Sequence, residues 1–336
     1  MIEQCDFTVL SGFLGSGKTT LLSAYLACSD VGRVAVIVND VGEVNIDGAV
    51  LALQDGVPMA TLSNGCVCCS LTNDLPYTID ALVRERRLSG QQPYTQIILE
   101  CSGLSDPGGV MRSLSALAGL GMRVRVVTTY ACDRHVAPED FSLLAQQVGA
   151  AHTIVLTRTD LVSPQQIADA ATEVKSMGPM GKIIVETSPE ARARAAFDVP
   201  AALPLSDAGH VPGGRYESQH PRIKVFSLQW DHELPWDHVA AWLENLAFYF
   251  DSRLLRTKGL VRLEGGDVLL IQGIGQHFDT PRRLNQLDAE RSSLVVICRD
   301  ASESEVIELA PQIPGMTVSA RTAGSKAIEL ARPRYD

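Results

Sequence analysis

Residues 12 to 19 read Gly-Phe-Leu-Gly-Ser-Gly-Lys-Thr, and no other stretch constrains the fold of this chain as strongly. Glycines at 12, 15 and 17 let the backbone curl through conformations that side chains disfavour, so that successive N–H groups converge on one point. The two residues after the last glycine suit a phosphate chain. Lys18 offers a mobile ammonium for β- and γ-phosphates, and the Thr19 hydroxyl is placed to ligate Mg2+. The flanks agree, because Phe7-Thr8-Val9-Leu10 predicts a buried strand and Thr19 to Ala27 a helix. That arrangement sets the phosphates at a helix N-terminus, where unpaired N–H groups and the helix dipole favour an anion. Gly12, Gly15, Ser16, Gly17, Lys18 and Thr19 are therefore candidate phosphate-binding residues, with Lys18 also a candidate catalytic group. The plain alternative is a glycine-rich turn between strand and helix.

The remainder of the first half repeats the same local plan. Apolar runs at Val34–Asn39, Gln96–Glu100, Val124–Thr129, Thr153–Leu156 and Ile183–Val185 predict strands. Helical periodicity separates several of them, as at Leu75–Leu88 and Pro164–Met177. Repeated strand-helix units predict an α/β domain over 1–190 whose mostly parallel sheet is covered on both faces. From about Pro189 the composition shifts to Ala, Pro, Gly, Ser and Asp, which predicts a linker over 191–221. Beyond it, Ile223–Trp230, Val268–Gly273 and Leu294–Cys298 look like strands, while Pro235–Tyr249 and Glu303–Leu309 look helical. A smaller α+β domain over 222–336 is expected.

Two further segments bear on the nucleotide. Thr157-Arg158-Thr159-Asp160 directly follows the apolar Ile154-Val155-Leu156. Hydrolases selective for guanine place Asn/Thr-Lys-x-Asp at this point, where the aspartate accepts both N1–H and N2–H of the base. Asp160 and Thr157 fit that role. Arg158 departs from lysine, although its planar group could cover the base. The competing assignment makes Asp160 a helix N-cap. Upstream, Ile97-Ile98-Leu99-Glu100-Cys101-Ser102-Gly103 ends a strand in a carboxylate with a glycine three residues later. Glu100 is then a candidate Mg2+-side and catalytic carboxylate, and Gly103 supplies a backbone N–H toward the γ-phosphate. Asn39-Asp40-Val41-Gly42-Glu43 is an acidic, glycine-bearing loop able to respond to the same group.

Cysteine usage points to metal. Of eight cysteines, three fall in Gly65-Cys66-Val67-Cys68-Cys69 and five are scattered. Three thiols in four residues after Asn64-Gly65 can converge on one soft ion such as Zn2+. A fourth position is left for carboxylate, histidine, water or a partner's side chain, which favours exchange over storage. A buried cysteine cluster without metal, or a redox site, is the alternative. With 39 acidic against 29 basic residues and a net charge of −10, no block of Lys and Arg offers nucleic acid a surface. The N-terminal residues lack the layout of a signal peptide, and no apolar run reaches membrane-spanning length. A cytoplasmic protein without nucleic-acid or membrane partners is expected.

In order, Gly-Phe-Leu-Gly-Ser-Gly-Lys-Thr-Thr, Asn-Asp-x-Gly-Glu, Asn-Gly-Cys-Val-Cys-Cys-Ser-Leu, Glu-x-Ser-Gly-Leu-x-Asp-Pro and Thr-x-x-Asp-Leu resemble the CobW-type GTPases, relatives of the urease and hydrogenase maturation GTPases. The resemblance runs from about Thr8 to Leu161 and continues through Arg256-Thr257-Lys258-Gly259 and Gln272-Gly273-Ile274-Gly275. It implies a P-loop NTPase fold and GTP hydrolysis coupled to delivery of a metal, most often zinc, to a client metalloprotein. Carried over by position, Gly12 to Thr20 (Thr20 included) would bind phosphate and Mg2+, Cys66, Cys68 and Cys69 the transported metal, and Asp160 guanine. Thr95, Ala131, His152 and Arg158 depart from the family pattern, and of its histidine-rich stretch only His210 and His220 stand in the linker.

The expected mechanism is a switch. With GTP and Mg2+ bound, the γ-phosphate would draw in Asn39–Glu43 and the Gly103 backbone, changing thiolate geometry between them. No glutamine is evident to orient water, so intrinsic turnover is expected to be slow. Two rivals stand beside this: an ATP-dependent small-molecule kinase, and a metal buffer or sensor tuned by nucleotide. The oligomeric state is left open, a nucleotide-dependent dimer included, as is the choice of zinc, cobalt or iron.

Overall fold

The computed structural model describes residues 5–28, 33–38, 58–61, 70–114, 122–134, 136–178, 180–198, 220–284, 291–309 and 313–320. The chain divides into two compact units, Met1–Ala201 and Ala202–Asp336.

In the first unit, strands and helices alternate as β1 (Asp6–Gly12), α1 (Lys18–Leu26), β2 (Val34–Val38), β3 (Met59–Thr61), α2 (Ser70–Leu88), β4 (Gln96–Glu100) and α3 (Pro107–Leu114). They continue with β5 (Arg123–Ala131), α4 (Phe141–Ala150), β6 (Thr153–Thr157), α5 (Pro164–Met177), β7 (Lys182–Ile184) and α6 (Pro189–Phe197). The seven strands form one sheet in the order β3-β2-β4-β1-β5-β6-β7, and every pairing is parallel. Continuous apolar strands such as Val-Ala-Val-Ile-Val in β2 are buried at every residue, as a sheet covered on both faces requires. The phosphate-loop strand β1 lies between β4 and β5, with Leu10 opposite Glu100 and Gly12 opposite Thr129. The carboxyl ends of β1, β4, β5 and β6 therefore lie along one edge of the sheet, where open α/β sheets bind ligands.

Helix α6 corrects one expectation from the sequence. The stretch from Pro189, predicted as the start of the linker, opens with this helix, so residues 191–197 are not linker. Ser188 caps it, its Oγ accepting the Ala191 N–H at 3.4 Å, and Pro189 takes the first turn. Ala193, Ala196 and Phe197 are fully buried in a core with Leu22 and Tyr25 of α1 and Val36, Ile98 and Val127 of the sheet. The Tyr25 and Phe197 rings pack at a tilt, with centroids 4.9 Å apart. Burying Phe197 contributes about 1.5–3 kcal/mol. Alanine favours helix as much as it suggests a linker, and the buried Phe197 decides between them. Residues 199–219 of the predicted linker lie outside the described residues.

The second unit is a sheet of antiparallel strands: β8 (Ile223–Trp230), β9 (Leu254–Arg262), β10 (Val268–Ile274), β11 (His277–Phe278), β12 (Arg282–Arg283), β13 (Ser292–Arg299) and β14 (Thr317–Ala320). Its order is β11-β10-β9-β13-β8-β14, with β12 also paired to β10. Among the described residues, helices α7 (Trp236–Phe250) and α8 (Glu303–Leu309) join these strands in an α+β unit. Alternate residues Phe226, Leu228 and Trp230 face the core that also takes Trp242, Leu246 and Phe250 of α7. The Trp242 indole N–H donates to the Leu309 carbonyl at 3.2 Å.

Candidate functional site

The loop between β1 and α1 has the backbone its glycines predict. Gly12, Gly15 and Gly17 adopt φ of 139°, 66° and 86°. A side chain at Gly12 would collide with Thr129 Oγ1. The Ser16 N–H donates to the Phe13 carbonyl at 3.1 Å, closing the turn. Helix α1 starts at Lys18 with Gly17 as its N-cap and no side-chain cap, so its first amides face the loop. Lys18 is buried, and its Nζ donates to the carbonyls of Gly12 at 2.9 Å and Phe13 at 3.2 Å. Ser16 is buried too, its Oγ 2.6 Å from Thr129 Oγ1. Thr20 lies exposed on the first turn of α1.

Glu100 closes β4 beside this loop. The Thr19 hydroxyl donates to Glu100 Oε1 at 2.6 Å, and Glu100 is only 2% exposed. An alcohol and a carboxylate brought together are hard oxygen donors, which fit Mg2+ and not a thiophilic ion. Three residues on, Gly103 packs against the loop so closely that a Cβ would lie 2.6 Å from the Leu14 N and Cα. Gln147 of α4, fully buried, donates its amide to the carbonyls of Gly103 at 3.0 Å and Ser105 at 3.1 Å. Asp106 caps α3 by accepting from Gly108 at 2.9 Å and Gly109 at 3.1 Å. The segment from Glu100 to Asp106 is thus fixed from three sides.

The second cluster follows β6. Thr157 is buried and its Oγ1 lies 2.7 Å from the Ser16 carbonyl and 3.1 Å from that of Tyr130. It braces the phosphate loop from behind. Arg158 takes φ of 55° and its guanidinium pairs with Asp133 at 3.0 Å. Asp160 is exposed. It is not the cap of α5, because Ser163 fills that position with a reciprocal capping box to Gln166. The N-cap alternative is thereby removed. The departures from pattern have structural roles: His152 Nδ1 accepts the Val126 N–H at 3.0 Å, and Ala131 is buried opposite Thr157.

Asn39–Glu43, His210 and the cysteines Cys66, Cys68 and Cys69 lie outside the described residues. His220 Nδ1 accepts the Arg222 N–H at 3.2 Å. The scattered thiols are Cys5, Cys28, Cys101 and Cys298, all buried, and the half-buried Cys132. Burial pushes the Cys5 and Cys101 thiols up to about 12, so both are held as neutral thiols near neutral pH.

Residues 6–185 match the family described as CobW/HypB/UreG, nucleotide-binding domain. The chain belongs to this family. Residues 223–310 match the cobalamin synthesis protein cobW C-terminal domain, so both CobW modules are present in order. The zinc chaperone YjiA of Escherichia coli is 27% identical over 285 residues, covering 80% of this chain and 85% of that protein. The zinc chaperone CobW of Pseudomonas aeruginosa is 27% identical over 349 residues, covering 91% and 90%. The crystal structure of Zn(II)-bound YjiA GTPase from Escherichia coli has the same fold, with a TM-score of 0.62 at 21% identity over 92% of this chain and 98% of that one.

Within this CobW-family nucleotide domain, sequence reasoning missed several residues. Thr129 and Gln147 support the phosphate side from β5 and α4, and Arg134 Nη1 donates to the Leu14 carbonyl at 3.2 Å on the exposed lip of the loop. Arg192 of α6 reaches the turn after β6. Their partners lie tens of residues away in the chain, so no local spacing announces them. The one available signal was Ser188-Pro189, a helix start directly after a predicted strand.

Proposed function

We propose that this chain hydrolyses GTP and uses the nucleotide cycle to bind a transition metal, zinc first, and deliver it to a client metalloprotein. The observation that carries the nucleotide half is the 2.6 Å bond between Thr19 and Glu100 at the mouth of a glycine-built loop. In this reading Gly12, Gly15, Ser16, Gly17, Thr20 and the Gly103 backbone receive the phosphates, and Lys18 steadies their developing charge. Thr19 and Glu100 would hold Mg2+, which when bound neutralises charge on the phosphoryl oxygens. Asp160 would read guanine through its exposed carboxylate, with Thr157 fixing the turn that carries it. GTPase activity is also named for the YjiA protein whose fold this chain shares.

The metal half rests on Cys66, Cys68 and Cys69 in the sequence and on relatives that are named zinc chaperones. Thiolate binding would release protons, so affinity should fall as pH falls. Coupling is then a matter of linkage: if GTP changes zinc affinity, zinc changes GTP affinity by the same factor. The test is calorimetry of zinc into the wild type and a Cys66/Cys68/Cys69→Ser triple variant, each loaded with GDP or a non-hydrolysable GTP analogue. One zinc per wild-type chain, lost in the variant and differing between nucleotides, is the expected outcome. Equal zinc binding in the variant removes the cysteine site. Equal affinity and exchange rate in both nucleotide states leaves a metal buffer, and preference for ATP favours a kinase.

A further inference from the structure

The base-side turn is held at two points. At its start, Thr157 is tied to the Ser16 carbonyl at 2.7 Å. Toward its end, immediately before Asp160, the Thr159 hydroxyl accepts from Arg192 Nη2 at 2.7 Å, and both residues are buried. The same guanidinium donates through Nε to the Glu186 carbonyl at 2.7 Å and through Nη2 to the Thr187 carbonyl at 3.2 Å. Glu186 and Thr187 belong to the next turn, between β7 and α6. Because β6 and β7 are neighbours in the sheet, the two turns stand side by side at its carboxyl edge.

A planar cation with a fixed fork of donors suits such a joint better than a single flexible ammonium. Burying it favours satisfied donors, and three of its five N–H groups find acceptors on two separate turns. Burial pushes this guanidinium below its ordinary range, and the nearby charges of Asp160 and Glu186 oppose that shift. Arg158, by contrast, is engaged with Asp133.

We propose that Arg192 is the positioning residue for base selection: it joins the Thr157–Asp160 turn to the Glu186–Thr187 turn and so aims the Asp160 carboxylate at the donor edge of a guanine nucleotide. This rests on Asp160 being the guanine-reading residue. Arg192 need not touch the nucleotide. Its loss should cost base discrimination while leaving the phosphate loop, braced separately through Thr129, Thr157 and Glu100, in place.

The experiment compares the full-length wild type with Arg192→Gln, Arg192→Lys and Thr159→Val, measuring competition by GTP, ITP and ATP, with KM and kcat for GTP and thermal midpoints. ITP lacks the 2-amino group that Asp160 would accept. For Arg192→Gln, the preference for GTP over ITP should fall by about tenfold, the scale of one hydrogen bond to a charged group. KM for GTP should rise while kcat stays within about twofold. Arg192→Lys should recover part of the preference, and Thr159→Val should lose part of it with Arg192 intact. If Arg192→Gln does not fold, the Thr159→Val selectivity decides. A lowered thermal midpoint with the wild-type GTP:ITP ratio retained overturns the proposal, since Arg192 then serves the fold alone. A wild type without preference for GTP over ITP and ATP overturns the guanine reading itself, and this proposal with it.

Discussion

The phosphate side and the proposed base side of the nucleotide site are built in different ways. On the phosphate side the chain uses backbone: three positive-φ glycines, an uncapped helix start and a glycine packed against Leu14. Its supports enclose it, with Glu100, Gln147, Thr129 and Thr157 all buried around the loop. The proposed base side uses side chains on turns, and the group proposed to read the base, Asp160, is exposed. Phosphate is common to every nucleotide, so a rigid backbone cradle suffices for it. A base must be distinguished, and in the proposed site that depends on the aim of one carboxylate. The first design tolerates little change. The second can be retuned one side chain at a time.

Three substitutions sharpen this contrast, in falling order of effect. Lys18→Ala should lower GTP hydrolysis by about 10²–10³-fold, since it removes a cation facing two phosphates, and circular dichroism should show the fold retained. Unaltered turnover in the folded variant would break the phosphate-side assignment. Asp160→Asn should weaken GTP binding by about 1–3 kcal/mol and leave ATP binding unmoved, which nucleotide competition reads directly. An equal loss for both nucleotides would mean that the two sides are not separable. Thr157→Val tests the joint between them. Removing the hydroxyl 2.7 Å from the Ser16 carbonyl should cost about 0.5–1.5 kcal/mol and weaken GTP and ATP alike, measured by titration calorimetry. A loss confined to GTP would place Thr157 on the base.

Legibility in the sequence divides along the same line. The octapeptide fixes its own shape through neighbours in sequence, and the helix after it begins at Lys18, one residue before the expected Thr19. Periodicity delimited β4, α5, β8 and α8 as they stand in the structure. Strand β9 was not evident, because Arg256, Lys258 and Gly259 interrupt its apolar run. Helix α6 was hidden in an alanine-rich stretch, and with it Arg192. Gln147 and Thr129 are ordinary polar residues on a helix and a strand until the fold brings Gly103 and Ser16 to them. Arg158 is a motif residue whose partner, Asp133, is likewise supplied by the fold and not by local spacing.

Helix α6 is nine residues long, too short to persist alone in water. Both of its ends are nevertheless anchored. Arg192 and the Ser188 cap secure the start, while at the other end the Phe197 carbonyl accepts from Gln96 of β4 at 3.1 Å and from Arg125 of β5. Short terminal helices ordinarily fray, and their amides exchange with solvent within the lifetime of the native state. Here the helix cannot peel away without breaking bonds to two central strands and to the turns at the opposite edge. Its amides should therefore exchange as slowly as those of β4, in one cooperative opening unit with the sheet.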